Sequence, residues 1–362
     1  MSAAHPLAPV ACGVSEPTIW TAGNYLRQFK PIESVIDGLP VPRGGLVSIT
    51  GPTGHGKTTI SVALELAFVR GSRFAGREVT KGSVLVLAGE NPDDWAMHLA
   101  ATLQDQGVDR AGLFDHETKT ALLVVPGVFS VAFGLDYLRE KLSNCAGPLV
   151  AVVVDTSAAF YQGDDENSNT AMRAHASALR ELSTLPGNPA VIVLCHPTKG
   201  ATKDNLLPRG GGAFLAEVDA NLTTWKDDAG VIELHWAGKI RGANFDPLRF
   251  DLHQVELAGL KDCRGRPIHS VAARHLADER AEQLEARELN DQDRVLIALR
   301  RDAGSLADLA RACGWINESG EPLKARADRR LKKLHALGLV EQDRKGKWRL
   351  TTKGHKDAEA LP

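Results

Sequence analysis

The sequence predicts an α/β protein, in which a doubly wound, mostly parallel sheet is followed by a small C-terminal domain. Short apolar, β-branched runs alternate with helical patterns between residues 46 and 196, which is typical of doubly wound sheets. A glycine-rich loop joins the first such run to the first helical pattern. A charged, alanine-rich stretch then separates this part of the chain from a basic segment at residues 291–355.

The glycine-rich loop has the spacing GxxxxGK[ST], which is typical of a phosphate-binding loop (P-loop). It comprises Gly51, Pro52, Thr53, Gly54, His55, Gly56, Lys57, Thr58 and Thr59. Backbone N–H groups of such a loop surround phosphate, and the following helix adds its positive end. We expect Lys57 to reach the β- and γ-phosphates of a nucleoside triphosphate and the Thr58 hydroxyl to bind Mg²⁺. The alternative, a glycine-rich turn that matches by chance, is disfavoured because a strand precedes the loop and a helix follows it.

Composition places the protein among globular, intracellular classes. The chain has 362 residues, which favours about two domains. Its net charge of −2 conceals a balance of +6 in residues 291–355, where 15 Lys and Arg face nine Asp and Glu. Nucleic acid is the acidic partner that such a segment favours. Five scattered cysteines, no long apolar run and no basic leader pattern predict a cytoplasmic protein without a membrane contact.

The order of elements predicts where a ligand binds. Strands are predicted at residues 83–88, 121–125, 149–154, 190–194, 219–225 and 231–236, and helices at 95–103, 135–142 and 170–185. Ligands of doubly wound sheets bind at the carboxyl ends of the strands. Gly51, Glu90, Asp155 and His196 all fall at such ends.

The chain divides into five predicted segments. They are an N-terminal arm (1–30), a P-loop domain (31–265), a charged linker or helix (266–290), a winged-helix-like domain (291–355) and a tail (356–362). The winged-helix prediction depends on three helices followed by a hairpin with its turn at Lys345-Gly346. The helices are predicted at Asp291–Arg301, Ser305–Cys313 and about Leu323–Leu337. A small helical protein–protein module is the alternative.

Two carboxylates are candidates for the chemistry of phosphoryl transfer. Asp155 ends an apolar run, as in a Walker B motif, and we expect it to bind Mg²⁺; alternatively it caps the next turn. No Glu adjoins Asp155, so the carboxylate that activates water must come from elsewhere in the sequence. Glu90, at the end of the strand after the P-loop helix, is well placed for this role. Its alternative is a place beside a helix N-cap, with Asp93 the stronger cap candidate.

Three further polar side chains complete the candidate site. His196 follows a buried strand and is either a sensor of the γ-phosphate or a polar residue with a purely structural role. Lys239 and Arg241 follow the predicted strand at 231–236 with a spacing that puts both cations on the same side, and in a ring of subunits such a pair is placed to reach a neighbour's γ-phosphate. The alternative is a solvated basic turn.

Together these motifs resemble the RecA-like ATPases of the plasmid replicative helicase RepA group. The resemblance covers roughly residues 30–255 and includes the P-loop, the Gly89-Glu90 strand end, residues 150–156, His196, the loop Arg209–Gly212 with Asp219, and Lys239-Ile240-Arg241. It implies a RecA-like fold, ATP hydrolysis with Mg²⁺ and a homohexameric ring. By this likeness Glu90 is the catalytic carboxylate, Asp155 the metal ligand, His196 the sensor, and Lys239 and Arg241 the fingers acting on a neighbour.

The resemblance also implies where DNA binds. The loop 197–212 matches the family's pore loop, where Lys199, Lys203 and Arg209 contact a single-stranded backbone. A basic C-terminal unit is not a required part of this family, and we expect it to hold duplex DNA or a partner protein.

The expected function is that of a ring-forming, ATP-driven DNA helicase or translocase in replication of a plasmid, phage or mobile element. The alternative is a nucleotide-switched DNA-binding regulator or partition-type ATPase that does not unwind DNA. A small-molecule kinase fits less well, since no acceptor pocket or lid is evident and the basic segment is unexplained. The sequence makes no prediction for the role of residues 1–30 or of the acidic loop 162–169.

Overall fold

The protein is described by a computed structural model, which covers residues 19–31, 33–145, 147–163, 165, 168–301, 305–317, 319–343 and 346–361. Its chain forms two compact units, residues 1–33 and residues 34–362. The first unit contains helix α1 (Ala22–Gln28), capped by Thr21, whose hydroxyl accepts the Asn24 N–H. The sequence predicted an arm here and no helix, because seven residues are too few for a clear helical pattern.

The second unit is built on a ten-stranded sheet. Its strands are β1 (Leu46–Thr50), β2 (Ser83–Ala88), β3 (Phe114–Asp115), β4 (Thr120–Pro126), β5 (Leu149–Asp155), β6 (Ala190–Cys195), β7 (Ala220–Lys226), β8 (Ile232–Ile240), β9 (Leu248–Lys261) and β10 (Pro267–His275). The order is β10-β9-β8-β7-β1-β6-β5-β2-β4-β3. The six neighbours from β7 to β4 are parallel. The predicted large, mostly parallel α/β sheet is confirmed.

Helices cover both faces of the sheet. They are α2 (Lys57–Arg70), α3 (Pro92–Asp105), α4 (Val131–Cys145), α5 (Asn169–Glu181) and α6 (Gly211–Glu217). Buried side chains of α2 and α3 pack on one face, and those of α4, α5 and α6 pack on the other. The central strands β1, β2, β5 and β6 are therefore buried along their whole length. Their continuous apolar sequences reflect burial on both faces.

The sheet extends beyond the predicted domain boundary at residue 265. Strand β10 pairs antiparallel with β9, so the prediction of a charged linker or helix from residue 266 is wrong for its first ten residues. This hairpin packs against α3 through a small cluster that includes Ala101, Val255 and Ala272. The sequence missed it because β10 is half-exposed and its pairing partner, not its own pattern, defines it.

The C-terminal part continues in the same unit. It consists of α7 (Asp278–Arg300), α8 (Leu306–Ala312), α9 (Lys324–Ala336), a hairpin of β11 (Val340–Gln342) and β12 (Trp348–Leu350), and α10 (Thr352–Glu359). One helix, α7, thus replaces both the rest of the predicted linker and the first predicted helix. Helix α10 crosses the predicted start of a tail at residue 356, and its Ala358 is buried. Three helices followed by a hairpin match the predicted order, although Lys345 lies outside the described residues.

Candidate functional site

The glycine-rich loop between β1 and α2 has the backbone geometry of an anion cradle. Gly54 and Gly56 have φ angles of 80° and 79°, in the left-handed region that glycine favours. Helix α2 begins at Lys57, and Gly56 before it provides no side-chain cap, so the first N–H groups of the helix face the loop. Gly51 packs so closely on Thr224 that an added Cβ would lie 2.2 Å from its hydroxyl oxygen. Tight packing therefore holds the loop against β7.

The Lys57 ammonium group lies inside this loop. Its Nζ donates to the carbonyl oxygens of Gly51 at 2.7 Å and Pro52 at 3.1 Å. Burial lowers the pKa of Lys57, and the nearby carboxylates of Asp155 and Glu90 oppose this effect. The structure thus brings the predicted phosphate-binding cation and both predicted carboxylates into one electrostatic cluster.

Two oxygen ligands suited to a divalent cation meet beside the loop. The Thr58 hydroxyl donates to Asp155 Oδ2 at 3.0 Å. Asp155 is 7% exposed, and burial raises its pKa to about 6, although the bond from Thr58 opposes that rise. Hydroxyl and carboxylate oxygens are hard ligands of the kind that Mg²⁺ prefers. The residues present therefore fit a magnesium ion.

Glu90 lies beside these groups at the end of β2. Its Oε2 accepts a hydrogen bond from the Thr156 hydroxyl at 2.7 Å, and His196 Nε2 lies 3.4 Å away. Burial raises the pKa of Glu90, but the bond from Thr156 and the proximity of His196 outweigh this effect, so the pKa is lowered. Glu90 is thus an ionised carboxylate that two neighbours orient.

The N-cap of α3 is a residue that the sequence reasoning missed. Asn91 Oδ1 accepts the Asp94 N–H at 3.2 Å, with Pro92 in the first turn. The prediction of Asp93 as the cap is therefore wrong, since Asn91 precedes the proline that opens the helix. Because Asn91 caps the helix, Glu90 is not needed for that purpose.

One cavity of about 300 Å³ joins the P-loop, Glu90, Asp155 and His196. Part of its wall comes from residues with no local sequence signal: His98 on α3, Leu252 on β9 and Val271 on β10. His98 Nδ1 lies 3.2 Å from the Val271 carbonyl oxygen. The hairpin of β9 and β10 brings Leu252 and Val271 to the P-loop from about 200 residues further along the chain.

The loop after β6 begins and ends beside His196. The Arg209 N–H donates to the His196 carbonyl at 2.8 Å, and the Thr198 N–H donates to that of Leu207 at 3.1 Å. Within the loop, Lys203 pairs with Glu233 on β8 at 3.2 Å. Helix α6 starts at Gly211, inside the range predicted as irregular loop. The backbone of His196 is therefore hydrogen-bonded to the base of this loop.

Lys239 and Arg241 do not belong to this cavity. Arg241 Nη1 lies 2.7 Å from Asp219 Oδ1, and Asp219 also accepts the Leu46 N–H at 2.9 Å and pairs with Arg180 at 3.2 Å. Lys239 donates to a backbone carbonyl of α6, and burial lowers its pKa, as does the positive charge of Arg241. Both cations therefore have protein partners, while the Arg241 side chain remains 64% exposed to solvent.

Sheet register shows which end of the molecule carries these cations. Ile240 pairs with Ala220 at the start of β7, and Ala220 pairs with Val47 near the start of β1. The P-loop follows the other end of β1. Lys239 and Arg241 thus lie near the amino-terminal ends of β1 and β7, whereas the P-loop of the same chain lies at the carboxyl end of β1.

Some of the basic side chains in the C-terminal part form ion pairs within the protein. Arg326 and Arg330 on α9 both pair with Asp291, which is 4% exposed, and Lys333 pairs with Asp228 in the turn between β7 and β8. The exposed cations of α9 are Lys324, Arg329 and Lys332. The surface of α9 is therefore less basic than its sequence suggests.

The fold and the cavity define a nucleotide-binding protein of the P-loop class. A family model described as an AAA domain matches residues 14–202, more than half of the chain. The chain belongs to this family of P-loop ATPases, whose domain also occurs in RecA-like helicases. No curated protein matches the chain. Among the described residues, no helix has the length and apolar character needed to cross a bilayer.

Proposed function

We propose that the protein is a ring-forming, ATP-driven DNA helicase or translocase of the RepA type, acting in replication of a plasmid, phage or mobile element. The observation that carries this proposal is the contact of Glu90 with His196, whose carbonyl oxygen bonds the base of the loop 197–212. A γ-phosphate in the P-loop cavity and a nucleic acid on that loop would thus be separated by one residue.

Hydrolysis of ATP requires a positioned water and a compensated transition-state charge. Glu90 accepts a hydrogen bond from water and orients it toward the γ-phosphorus, while Thr156 and His196 hold the carboxylate. Lys57 releases its loop carbonyls and donates to the β- and γ-phosphates. Thr58 and Asp155 would hold Mg²⁺, which would neutralise phosphate charge. Attack of water breaks the bond to the β-phosphate oxygen and yields ADP and inorganic phosphate.

A neighbouring subunit supplies the remaining positive charge. Arg241 and Lys239 lie at the edge of the sheet opposite their own P-loop, so a head-to-tail contact brings them to the P-loop of the next copy. Repetition of such a contact closes a ring, and we propose a hexamer. The Arg241 side chain is 64% exposed, so it can leave Asp219 for a neighbouring subunit.

DNA contacts are assigned to two parts of the chain. Lys199, Lys203 and Arg209 of the loop 197–212 bind the backbone of a single strand. We propose residues 34–275 as the ATPase domain and 278–361 as a winged-helix-like domain for duplex DNA, with Lys324 and Arg329 of α9 as phosphate contacts.

A forked DNA substrate tests the proposal. The full-length protein with ATP and Mg²⁺ is expected to separate the strands, and Glu90→Gln is expected to bind ATP yet lose hydrolysis by about 100-fold or more. Unwinding without ATP, or an unchanged rate in Glu90→Gln, would contradict it.

The arrangement of α7, α8, α9 and the β11–β12 hairpin favours a second candidate, a nucleotide-switched DNA-binding regulator or partition-type ATPase. Such a protein would bind one duplex sequence in preference to others and leave forked DNA intact. The same fork assay, combined with duplex-binding measurements, separates the two candidates.

A further inference from the structure

A buried hydrogen bond lies directly behind the Glu90 site. Ser157 follows Thr156, and its Oγ lies 3.0 Å from Nε2 of His175 on α5. Both residues are less than a tenth exposed. Ser157 and Cys195, the residue before His196, line one small cavity. Ser157 thus lies beside the end of β6, which precedes His196. It also follows Thr156, whose hydroxyl donates to Glu90.

His175 also contacts the residue that opens the loop after β5. The ring of Tyr161 meets His175 edge-on, with centroids 5.4 Å apart. Tyr161 in turn donates its hydroxyl to the carbonyl of Asp165, which also accepts the Ser168 N–H at 3.1 Å. Ser168 caps α5, the helix that carries His175. Asp165 and Ser168 are therefore connected to the His175 ring through Tyr161.

The same histidine contacts the helix that follows the loop 197–212. Phe214 on α6 is fully buried, and its ring centroid lies 6.2 Å from that of His175. A small cavity of about 20 Å³ lies among Ser157, Tyr161, His175, Cys195, His196 and Arg209. The His175 side chain thus contacts Ser157 after β5, Tyr161 at the start of the following loop, and Phe214 on the helix after the loop 197–212.

We propose that His175 is a positioning residue that, through Ser157, couples the Glu90–Thr156–His196 group to the loop 197–212 and to Asp165 and Ser168 in the loop after β5. This inference rests on the proposed function and deepens it by assigning the residue that links nucleotide state to affinity for single-stranded DNA. The packed interior around His175 does not deform continuously, so a shift of Ser157 moves the ring and with it Tyr161 and Phe214. His175 itself touches neither phosphate nor DNA.

The test compares affinity for a fluorescent oligothymidylate in ADP with affinity in a non-hydrolysable ATP analogue. For the wild-type chain we expect the two dissociation constants to differ by about fivefold or more, as is typical of coupled sites. Ser157→Ala and His175→Leu are expected to bring the ratio close to one while leaving nucleotide affinity and the basal ATPase rate nearly unchanged. His175→Gln, which keeps a partner for Ser157, is expected to retain the coupling.

Thr102→Ala is the matched control, because it removes a buried hydroxyl that bonds only within α3. A wild-type ratio in both Ser157→Ala and His175→Leu would overturn the inference. A parallel loss of thermal stability and of both DNA affinities, with the ratio retained, would also overturn it by showing a structural role alone. If the wild-type chain binds no single-stranded DNA, the proposed function itself fails.

Discussion

At the residue scale, the carboxylates near the P-loop lie in contrasting environments. Burial raises the pKa of Asp155 to about 6, whereas Thr156 and His196 keep the pKa of Glu90 low despite its partial burial. A third carboxyl, Glu65 on α2, is completely buried, and burial raises its pKa to about 8. Its oxygens accept hydrogen bonds from Trp95 Nε1 at 3.0 Å and the Ser61 hydroxyl at 3.1 Å. Glu65 therefore serves the fold in its protonated form.

Replacement of Glu65 by Gln is expected to stabilise the protein in a pH-dependent manner. The folded state keeps the Glu65 proton up to a pH of about 8, whereas the unfolded chain loses it near 4.5. The wild-type stability from this group is thus full below pH 4.5 and declines as the pH rises to about 8. Glu65→Gln removes this decline, which thermal unfolding at pH 5, 7 and 8.5 would measure. Glu78→Gln, at an exposed carboxyl paired with Arg73, is the control, and a wild-type pH slope in Glu65→Gln would contradict the prediction.

At the element scale, the sequence predicted those parts whose pattern is local. Strands β1, β2, β5 and β6 are continuous apolar runs, and their parallel alignment brings Gly51, Glu90, Asp155 and His196 to one edge, as predicted. The β9–β10 hairpin escaped prediction because distant partners hold its strands, such as Gln104 of α3, which hydrogen-bonds the backbone of β9. The cavity wall from Leu252 and Val271 was missed for the same reason.

The ion pairs of Asp219 allow a test of the proposal that Arg241 acts on the P-loop of a neighbouring subunit. Arg241→Ala and Arg180→Ala each remove one partner of Asp219. If Arg241 acts on a neighbour's γ-phosphate, only Arg241→Ala abolishes ATP turnover, and it does so without loss of ATP binding. Equal, partial effects in both variants would reduce Arg241 to a structural ion pair.

Mixing two inactive variants tests the same contact from the other side. Lys57→Ala keeps its Arg241, and Arg241→Ala keeps its P-loop, so some mixed interfaces are complete. In an equal mixture about one interface in four joins two intact halves, and we expect up to about a quarter of the wild-type rate. A mixture as inactive as its components would argue against a shared site.

Helix α9 carries cations that form ion pairs within the protein and exposed cations that we propose to bind DNA. Arg326→Ala leaves the buried Asp291 with one partner fewer and uncovers the ring of Trp315, so we expect a lower unfolding temperature. Arg329→Ala and Lys324→Ala are expected to weaken duplex binding and its salt dependence while the unfolding temperature stays constant. Fluorescence anisotropy at several salt concentrations measures duplex binding, and thermal unfolding measures the change in stability. Unchanged duplex affinity in both exposed variants would remove α9 from the DNA interface.

At the scale of the whole molecule, a series of contacts connects the P-loop cavity to the loop 197–212, which we propose to bind DNA. The P-loop meets Glu90 in one cavity, Glu90 meets His196, and His196 bonds the base of the loop 197–212. The C-terminal unit joins the same body through Lys333 and Asp228, and through Leu284 of α7, which packs against Val231. We propose that ATP hydrolysis and DNA binding are coupled through these contacts.

The steady-state ATPase rate with and without single-stranded DNA tests this claim most directly. We predict a several-fold higher rate with a saturating oligonucleotide, no rate in Lys57→Ala under either condition, and a smaller response to duplex of the same length. An ATPase rate that is the same with and without single-stranded DNA would contradict the account.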